Sequence, residues 1–188
     1  FLVLAELAGA KIEDNNAELK IKEGDIQFTC RPDGIYFDPA TGDLYNVEIK
    51  KMSEYSYDEW AAGTLDDTWG YRTQAMMECL AWKQAGKDVK GTAFLGMRGI
   101  TGHFREEIIP YEAELTKKAL DRAKIVKEST KEELPSRGYG PVAETFRSKA
   151  TGRKKLGIVC SYCSYHTLCF PQAKMEMKSG RPLWVVEE

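Results

Sequence analysis

Residues 30–52 read CRPDGIYFDPATGDLYNVEIKKM, and how this stretch folds decides the architecture of the chain. Two runs rich in β-branched and aromatic residues, Ile26 to Phe37 and Leu44 to Ile49, flank Asp38-Pro39-Ala40-Thr41-Gly42-Asp43, which is turn composition throughout. That order predicts a β-hairpin. If the hairpin is symmetrical about Ala40-Thr41, residues equally far from the turn face each other, and Asp33 comes opposite Glu48. Side chains alternate along a strand, so Lys50 projects to the same face as Glu48. An Asp, a Glu and a Lys then converge on one spot.

Two carboxylates at contact distance repel unless one is protonated or a cation lies between them, and hard oxygen donors suit Mg²⁺ or Mn²⁺. Such an ion activates a water and neutralises charge on a phosphoryl oxygen, while a nearby lysine orients the water. This is equipment for cutting a phosphodiester. Exposed strands also alternate Glu and Lys simply for solubility. Here the flanking Val47 and Ile49 form an apolar face, and a helix-like segment with further polar groups follows.

These residues resemble the PD-(D/E)XK nuclease superfamily, in particular its RecB-like and phage exonuclease branches. Arg31-Pro32-Asp33-Gly34 is similar to the second motif of that family, Glu48-Ile49-Lys50 to its E-x-K motif, and Trp69-Gly70-Tyr71-Arg72-Thr73-Gln74 to its helix motif. The resemblance implies a restriction-endonuclease-like core in which Asp33, Glu48 and the backbone carbonyl of Ile49 bind metal. It further implies that Lys50 acts on the attacking water and that Tyr71 and Gln74 contact the site or the DNA. Near the C-terminus, Cys160-x2-Cys163-x5-Cys169-Phe170-Pro171 resembles the three-cysteine end of the iron–sulfur staple of this branch. The fourth staple cysteine of that family precedes the second motif by a wide margin. In this sequence Cys30 alone precedes Asp33, so the expectation is either Cys30 as fourth ligand or a ligand upstream of Phe1. An upstream segment is also the expected home of the first-motif acidic residue or His, with Glu6 as the alternative within the chain.

The cysteine segment carries a reading of its own. A C-x2-C turn points two sulfurs at one centre, and a third thiolate leaves one position to fill. An iron–sulfur cluster of the [4Fe-4S] type takes a fourth cysteine; zinc instead takes His166, within C-x2-C-x2-H-x2-C. Either would be structural, since four protein ligands leave no place for substrate. Five cysteines, three of them within ten residues, fit metal ligation better than a secreted disulfide framework.

With 188 residues, 43% hydrophobic and 30% charged, the chain has the size of one domain with a sizeable core, and the composition excludes a disordered or membrane-embedded protein. Phe1-Leu2-Val3-Leu4-Ala5 is too short and lacks the basic lead-in of a signal peptide. A cytoplasmic setting, in a bacterium or a phage-infected cell, is the expectation. A net charge of −2 gives no global attraction to nucleic acid, so DNA contact has to use local basic clusters. Arg147, Lys149, Arg153, Lys154 and Lys155 form the densest of these, within a Gly- and Pro-rich stretch read as a loop over about 134–156.

Along the chain, residues 1–10 are helix formers closed by Gly9, and Ala17 to Lys22 alternates as a short strand. Ser53 to Thr68 is acidic, aromatic and small, a surface loop or short helix. Its Tyr55, Tyr57 and Trp60 suit either base stacking or a flap over the core. A helix from Trp69 to Gln84 ends at Gly86, with Tyr71, Gln74 and Glu78 on one face and Cys79 a buried thiol. Strands at Gly91–Met97 and His103–Pro110 follow, His103 in a structural role, and then an amphipathic helix over Tyr111–Lys131.

The expected fold is α/β: a central mixed sheet, helices on both faces and a metal-stapled tail, as a single domain over 1–188 with its core over about 1–130 and its cysteine motif over 160–171. The expected function is a Mg²⁺- or Mn²⁺-dependent deoxyribonuclease acting on ends or single strands in recombination, repair or phage replication, with a helicase or recombination protein as a further partner. Alternatives are a nucleic-acid-binding module on the same fold with weak or no turnover, and a zinc-bearing structural subunit of a larger machine.

Overall fold

The computed structural model describes residues 11–13, 17–63, 70–129, 140–146, 149–161, 163–164, 166–178 and 181–186. The chain divides into two compact units, Phe1–Thr130 and Lys131–Glu188. It is mixed α/β, and no helix among the described residues is long and apolar enough to cross a membrane.

The first unit contains, in chain order, β1 (Lys11–Glu13), β2 (Leu19–Glu23), β3 (Ile26–Cys30), β4 (Gly34–Phe37), β5 (Leu44–Met52), α1 (Glu54–Ala61), α2 (Tyr71–Gln84), β6 (Val89–Arg98), β7 (Phe104–Pro110) and α3 (Ala113–Glu128). Five of the strands form a mixed sheet in the order β1-β4-β5-β6-β7, and β2 pairs with β3 separately. The β5–β6 pair is parallel, joined by the crossover through α1 and α2; the other pairs are antiparallel.

The β4–β5 turn is built from its own side chains. Asp38 accepts the backbone N–H of Ala40 at 2.9 Å through Oδ1 and the Thr41 hydroxyl at 3.0 Å through Oδ2. Gly42 sits at φ 77°, a left-handed conformation that is cheap for glycine. The pairing that results, Gly34 with Val47 through Phe37 with Leu44, is symmetrical about Ala40-Thr41 as the sequence predicts.

The run Ile26–Phe37, expected as one strand, is divided. Residues 31–33 leave the ladder, so β3 turns back onto β2 while β4 enters the central sheet. Buried Pro32 lies at the break, and a proline has no N–H to continue a ladder.

Helix α2 covers the sheet face that carries Asn46, Glu48, Lys50 and Met52, packing through Ala75, Met76, Cys79 and Trp82. It also clamps the β2–β3 hairpin: Gln84 accepts the N–H of Lys22 at 2.9 Å and donates to its carbonyl at 3.1 Å. Helix α1 lies on the same face. Its Ser53 cap accepts the N–H of Ser56 at 3.1 Å, and Arg98 ties it to β6 by ion pairs to Glu54 and Asp58. A Cβ on Gly96 would stand 2.1 Å from the Trp60 ring, so glycine there gives the indole its seat. On the opposite face Val47, Ala93 and Leu95 are buried as well, whereas Ile49 is 43% exposed and ends the apolar stripe. The expected helix over residues 1–10 lies outside the described residues.

The second unit contains β8 (Pro141–Phe146), β9 (Lys149–Leu156), the short helices α4 (Ile158–Ser161) and α5 (His166–Cys169), β10 (Ala173–Lys178) and β11 (Arg181–Val186). The four strands form an antiparallel sheet in the order β10-β11-β9-β8. Where a basic loop was expected, residues 141–156 form a β-hairpin outside the undescribed 147–148. Glu144 organises one of its faces, accepting from the Thr151 hydroxyl at 2.9 Å and pairing with Lys178 at 2.5 Å and Arg153 at 3.3 Å.

Candidate active site

Strand β5 alternates Asn46, Glu48, Lys50 toward α2, and α2 returns Tyr71, Gln74 and Glu78 toward the strand. Glu48 is 2% exposed, and its Oε1 forms an ion pair with the Lys50 ammonium. Lys50 Nζ donates to Gln74 Oε1 at 3.2 Å and lies 5.7 Å from the centre of the Tyr71 ring. Gln74 Nε2 donates to Glu78 Oε1 at 2.9 Å and reaches Glu48 Oε2 at 3.4 Å. Glu48, Lys50, Tyr71 and Gln74 are thus brought together.

Asp33 lies one residue before β4, and continuing the β4–β5 register by one step places it across from Glu48. Its Oδ2 accepts the backbone N–H of Ile49 at 2.7 Å, which closes the ladder beyond the end of the strand. Asp33 is thus tied to the backbone next to Glu48, while the Glu48 carboxylate turns to Lys50 and Gln74.

The electrostatics follow from burial. Desolvation first, and the neighbouring Glu78 second, push Glu48 up to about 8, against the pull of the Lys50 ammonium. A carboxyl group this deep beside a second carboxylate holds a proton or takes a cation in its place. The donor set, with Asp33, Glu48 and the Ile49 carbonyl, fits a hard divalent cation in its chemistry. Among the described residues, no three His, Cys, Asp or Glu side chains gather as a metal-binding group, so such an ion would rest on two carboxylates, backbone oxygen and water.

Two residues of this cluster carry no motif signal. Asn46 is fully buried, and Glu78 is 2% exposed. Asn46 Nδ2 donates to Glu78 Oε2 at 3.0 Å, and the Trp82 indole donates to Asn46 Oδ1 at 3.1 Å. The available hint was spacing: Asn46 is two residues before Glu48 on one strand face, and Glu78 one helical turn after Gln74.

The other candidates separate. Trp60 is core, edge-on to Phe94 with ring centres 5.3 Å apart and to Tyr57 at 5.9 Å; only Tyr55 of the three aromatics stands out, 72% exposed. The flap alternative therefore describes Trp60 and Tyr57. Cys79 is fully buried against Thr92, and burial pushes its thiol up to about 11. Cys30 packs on the Ile21–Ala81–Leu120 cluster, where burial likewise pushes its thiol up to about 11. His103 is exposed in the β6–β7 turn. Glu6, Trp69, Arg147, Tyr162 and Tyr165 lie outside the described residues.

In the second unit the spacing between Cys163 and Cys169 is taken up by a turn and α5. Cys160 and Cys169 both pack against the small core of Leu156, Phe170 and Val186. The Cys163 carbonyl accepts the His166 N–H at 3.1 Å and faces His166 Nδ1 at 2.5 Å. His166 Nε2 is buried with no hydrogen-bond partner among the described residues, its ring 4.1 Å from that of Trp184. None of the five cysteines of the chain is in a disulfide. The orphaned nitrogen is the feature here that a metal would satisfy, although the thiols and the imidazole are not gathered as a group of three among the described residues. Of the basic run, Arg153 is neutralised internally by Glu144 and by Glu176 at 2.7 Å.

No family model matches the chain, and no curated protein matches it significantly.

Proposed function

We propose that this chain is a divalent-metal-dependent nuclease of the PD-(D/E)XK type that hydrolyses phosphodiester bonds in DNA, working at ends or on single strands. The observation that carries it is the joint placement of Glu48, Lys50 and Gln74, with Asp33 fixed to the backbone between them. Asp33, Glu48 and the Ile49 carbonyl are the residues that would hold Mg²⁺ or Mn²⁺. The ion supplies Lewis acidity toward water and neutralises charge on the phosphoryl group. The Lys50 ammonium, held between Glu48 and the Gln74 carbonyl, is aimed to orient a water and to steady negative charge as it develops. The Tyr71 ring beside it shields that ammonium on one side.

A structural metal on Cys160, Cys163 and Cys169 is part of the same proposal. The family resemblance favours an iron–sulfur cluster with a fourth thiolate from elsewhere in the chain; the unpartnered His166 Nε2 favours zinc. DNA is the proposed partner, with a helicase or recombination protein as a second.

A second reading is a DNA-binding module with weak or no turnover, favoured by the depth of Glu48 and its ion pair with Lys50. Cleavage of linear and single-stranded DNA in Mg²⁺ or Mn²⁺ separates the two, compared among the native chain, Glu48→Ala and Lys50→Ala. Loss of cleavage in both variants supports the nuclease. Equal cleavage in all three overturns it, and DNA binding without cleavage in the native chain supports the module.

A further inference from the structure

Below Lys50 runs a row of buried groups whose donor and acceptor ends admit one arrangement. The Trp82 indole N–H can only donate, and it donates to Asn46 Oδ1 at 3.1 Å. That bond decides which way round the Asn46 amide sits. Its Nδ2 must then face Glu78, to which it donates at 3.0 Å, with a longer contact of 3.4 Å to the Thr92 hydroxyl. The other Glu78 oxygen accepts Gln74 Nε2 at 2.9 Å. With its amino end committed to carboxylates, Gln74 turns its carbonyl to Lys50 Nζ at 3.2 Å.

Trp82, Asn46 and Glu78 are each at most 2% exposed, so water is in no position to replace a partner lost among them, and the row reaches solvent only at Gln74, whose side chain is exposed. Each group in such a row depends on the next, and a reversed amide anywhere sets two donors or two acceptors face to face.

We propose that Trp82, Asn46 and Glu78 are positioning residues that fix the orientation of the Gln74 amide and, through it, the Lys50 ammonium for phosphodiester hydrolysis. The assignment of hydrolysis rests on the nuclease reading above; the orientation of Gln74 does not.

The test uses Glu78→Gln, Asn46→Asp and the double variant in the full chain. Glu78→Gln leaves one acceptor where two amino groups converge. Asn46→Asp alone opposes two carboxylates. Together they restore the order. The carboxylate introduced at position 46 accepts from Trp82 and from the amide nitrogen introduced at position 78, and the amide carbonyl at position 78 accepts from Gln74. With Mn²⁺ and a short DNA substrate, each single variant is expected to lose roughly 10–100-fold in kcat. KM is expected to stay within about twofold, as for groups that act on the transition state. The double variant is expected to recover most of the loss. A folded Glu78→Gln protein with native kcat, or a double variant no better than the singles, overturns the proposal.

The Gln74 side-chain amide protons, followed by NMR, give a readout without activity. They are expected to exchange slowly in the native chain, quickly in Glu78→Gln and slowly again in the double variant; unchanged exchange in Glu78→Gln overturns the proposal. A native chain that cleaves nothing, yet shows this pattern, sinks the nuclease reading and leaves the row as what orients Lys50. If Glu78→Gln does not fold, Trp82→Phe removes the first donor, together with part of a buried ring, and leaves Asn46 and Glu78 untouched. Faster Gln74 exchange is then expected, and native exchange overturns the proposal.

Discussion

Asp33 Oδ2 accepts the backbone N–H of Ile49 at 2.7 Å, so the acid proposed to hold a metal also finishes the ladder of the strand that carries Glu48 and Lys50. The two tasks separate by substitution. Asp33→Asn keeps an oxygen for the Ile49 N–H but weakens a cation site, whereas Asp33→Ala removes both. Urea titration is expected to show Asn close to native and Ala lower by about 1 kcal/mol. Both variants are expected to lose Mn²⁺-dependent cleavage, and full activity in Asp33→Asn would deny the acid a metal role.

Stability without metal should depend on Glu48 in an unusual direction. Its folded value, about 8, lies above the ordinary 4.5, so the folded chain holds the proton more tightly than the unfolded one. The contribution is complete below the ordinary value and is lost as pH rises through the folded value. In chelator, denaturant stability is therefore expected to fall between about pH 5 and about pH 9, and Glu48→Gln is expected to flatten that slope. Added Mn²⁺ should restore stability most at the alkaline end, where the proton no longer competes. A rising slope in chelator would refute the assignment.

Glu144 should behave in the opposite sense. Hydrogen bonds from Lys178 and Thr151 hold its carboxyl below the ordinary 4.5, so its contribution is present above that value and lost as pH falls through the folded one. Amide exchange of β9 and β10 is expected to quicken in acid, and Glu144→Gln should show the quicker exchange already at neutral pH. Native exchange in that variant at neutral pH would remove Glu144 as the organiser of the sheet face.

Gly96 and Trp60 make a packing pair. A methyl group at 96 would meet the indole at 2.1 Å, so Gly96→Ala is expected to destabilise by about 1–3 kcal/mol through overpacking. Trimming the indole, as in Gly96→Ala with Trp60→Leu, should recover part of that loss. Thermal melting of the single and double variants measures it; additive losses would mean the two residues do not compete for space.

Metal content decides the cysteine segment. Protein purified without oxygen is expected from the family resemblance to be brown and to absorb near the violet. A colourless protein that carries zinc, and loses it on His166→Ala, would replace the cluster with zinc.

The turn at Asp38–Asp43 was legible because its chemistry is local: Asp38, Thr41 and Gly42 close it without help from the rest of the chain, and the register of β4 and β5 follows. The break at Pro32 was hidden by the apolar residues on either side, which satisfy a strand pattern whether or not the ladder continues. Strands β8 and β9 were masked by charge. Lysine and arginine lie on an exposed strand as readily as in a loop, and nothing in their spacing distinguishes the two. Strands β10 and β11 need each other as partners, a fact no window of sequence contains. At the site, Glu48, Lys50 and Gln74 announced themselves by pattern. Asn46 did not, and Glu78 showed only as a residue on the helix face of Gln74, because a buried amide or acid has meaning only once its partner is known.

The crossover from β5 to β6 bears on how the chain acquires its chemistry. Asp33, Glu48, Lys50, Tyr71 and Gln74 all precede β6 in the chain, so the site is written within one short span whose closure costs little entropy. A nascent chain can assemble these groups as soon as that span finds β6 to lean on. Whatever is grafted onto the exposed β6–β7 bend, where Ile100 is 84% exposed, enters the sequence only after the reactive groups are complete.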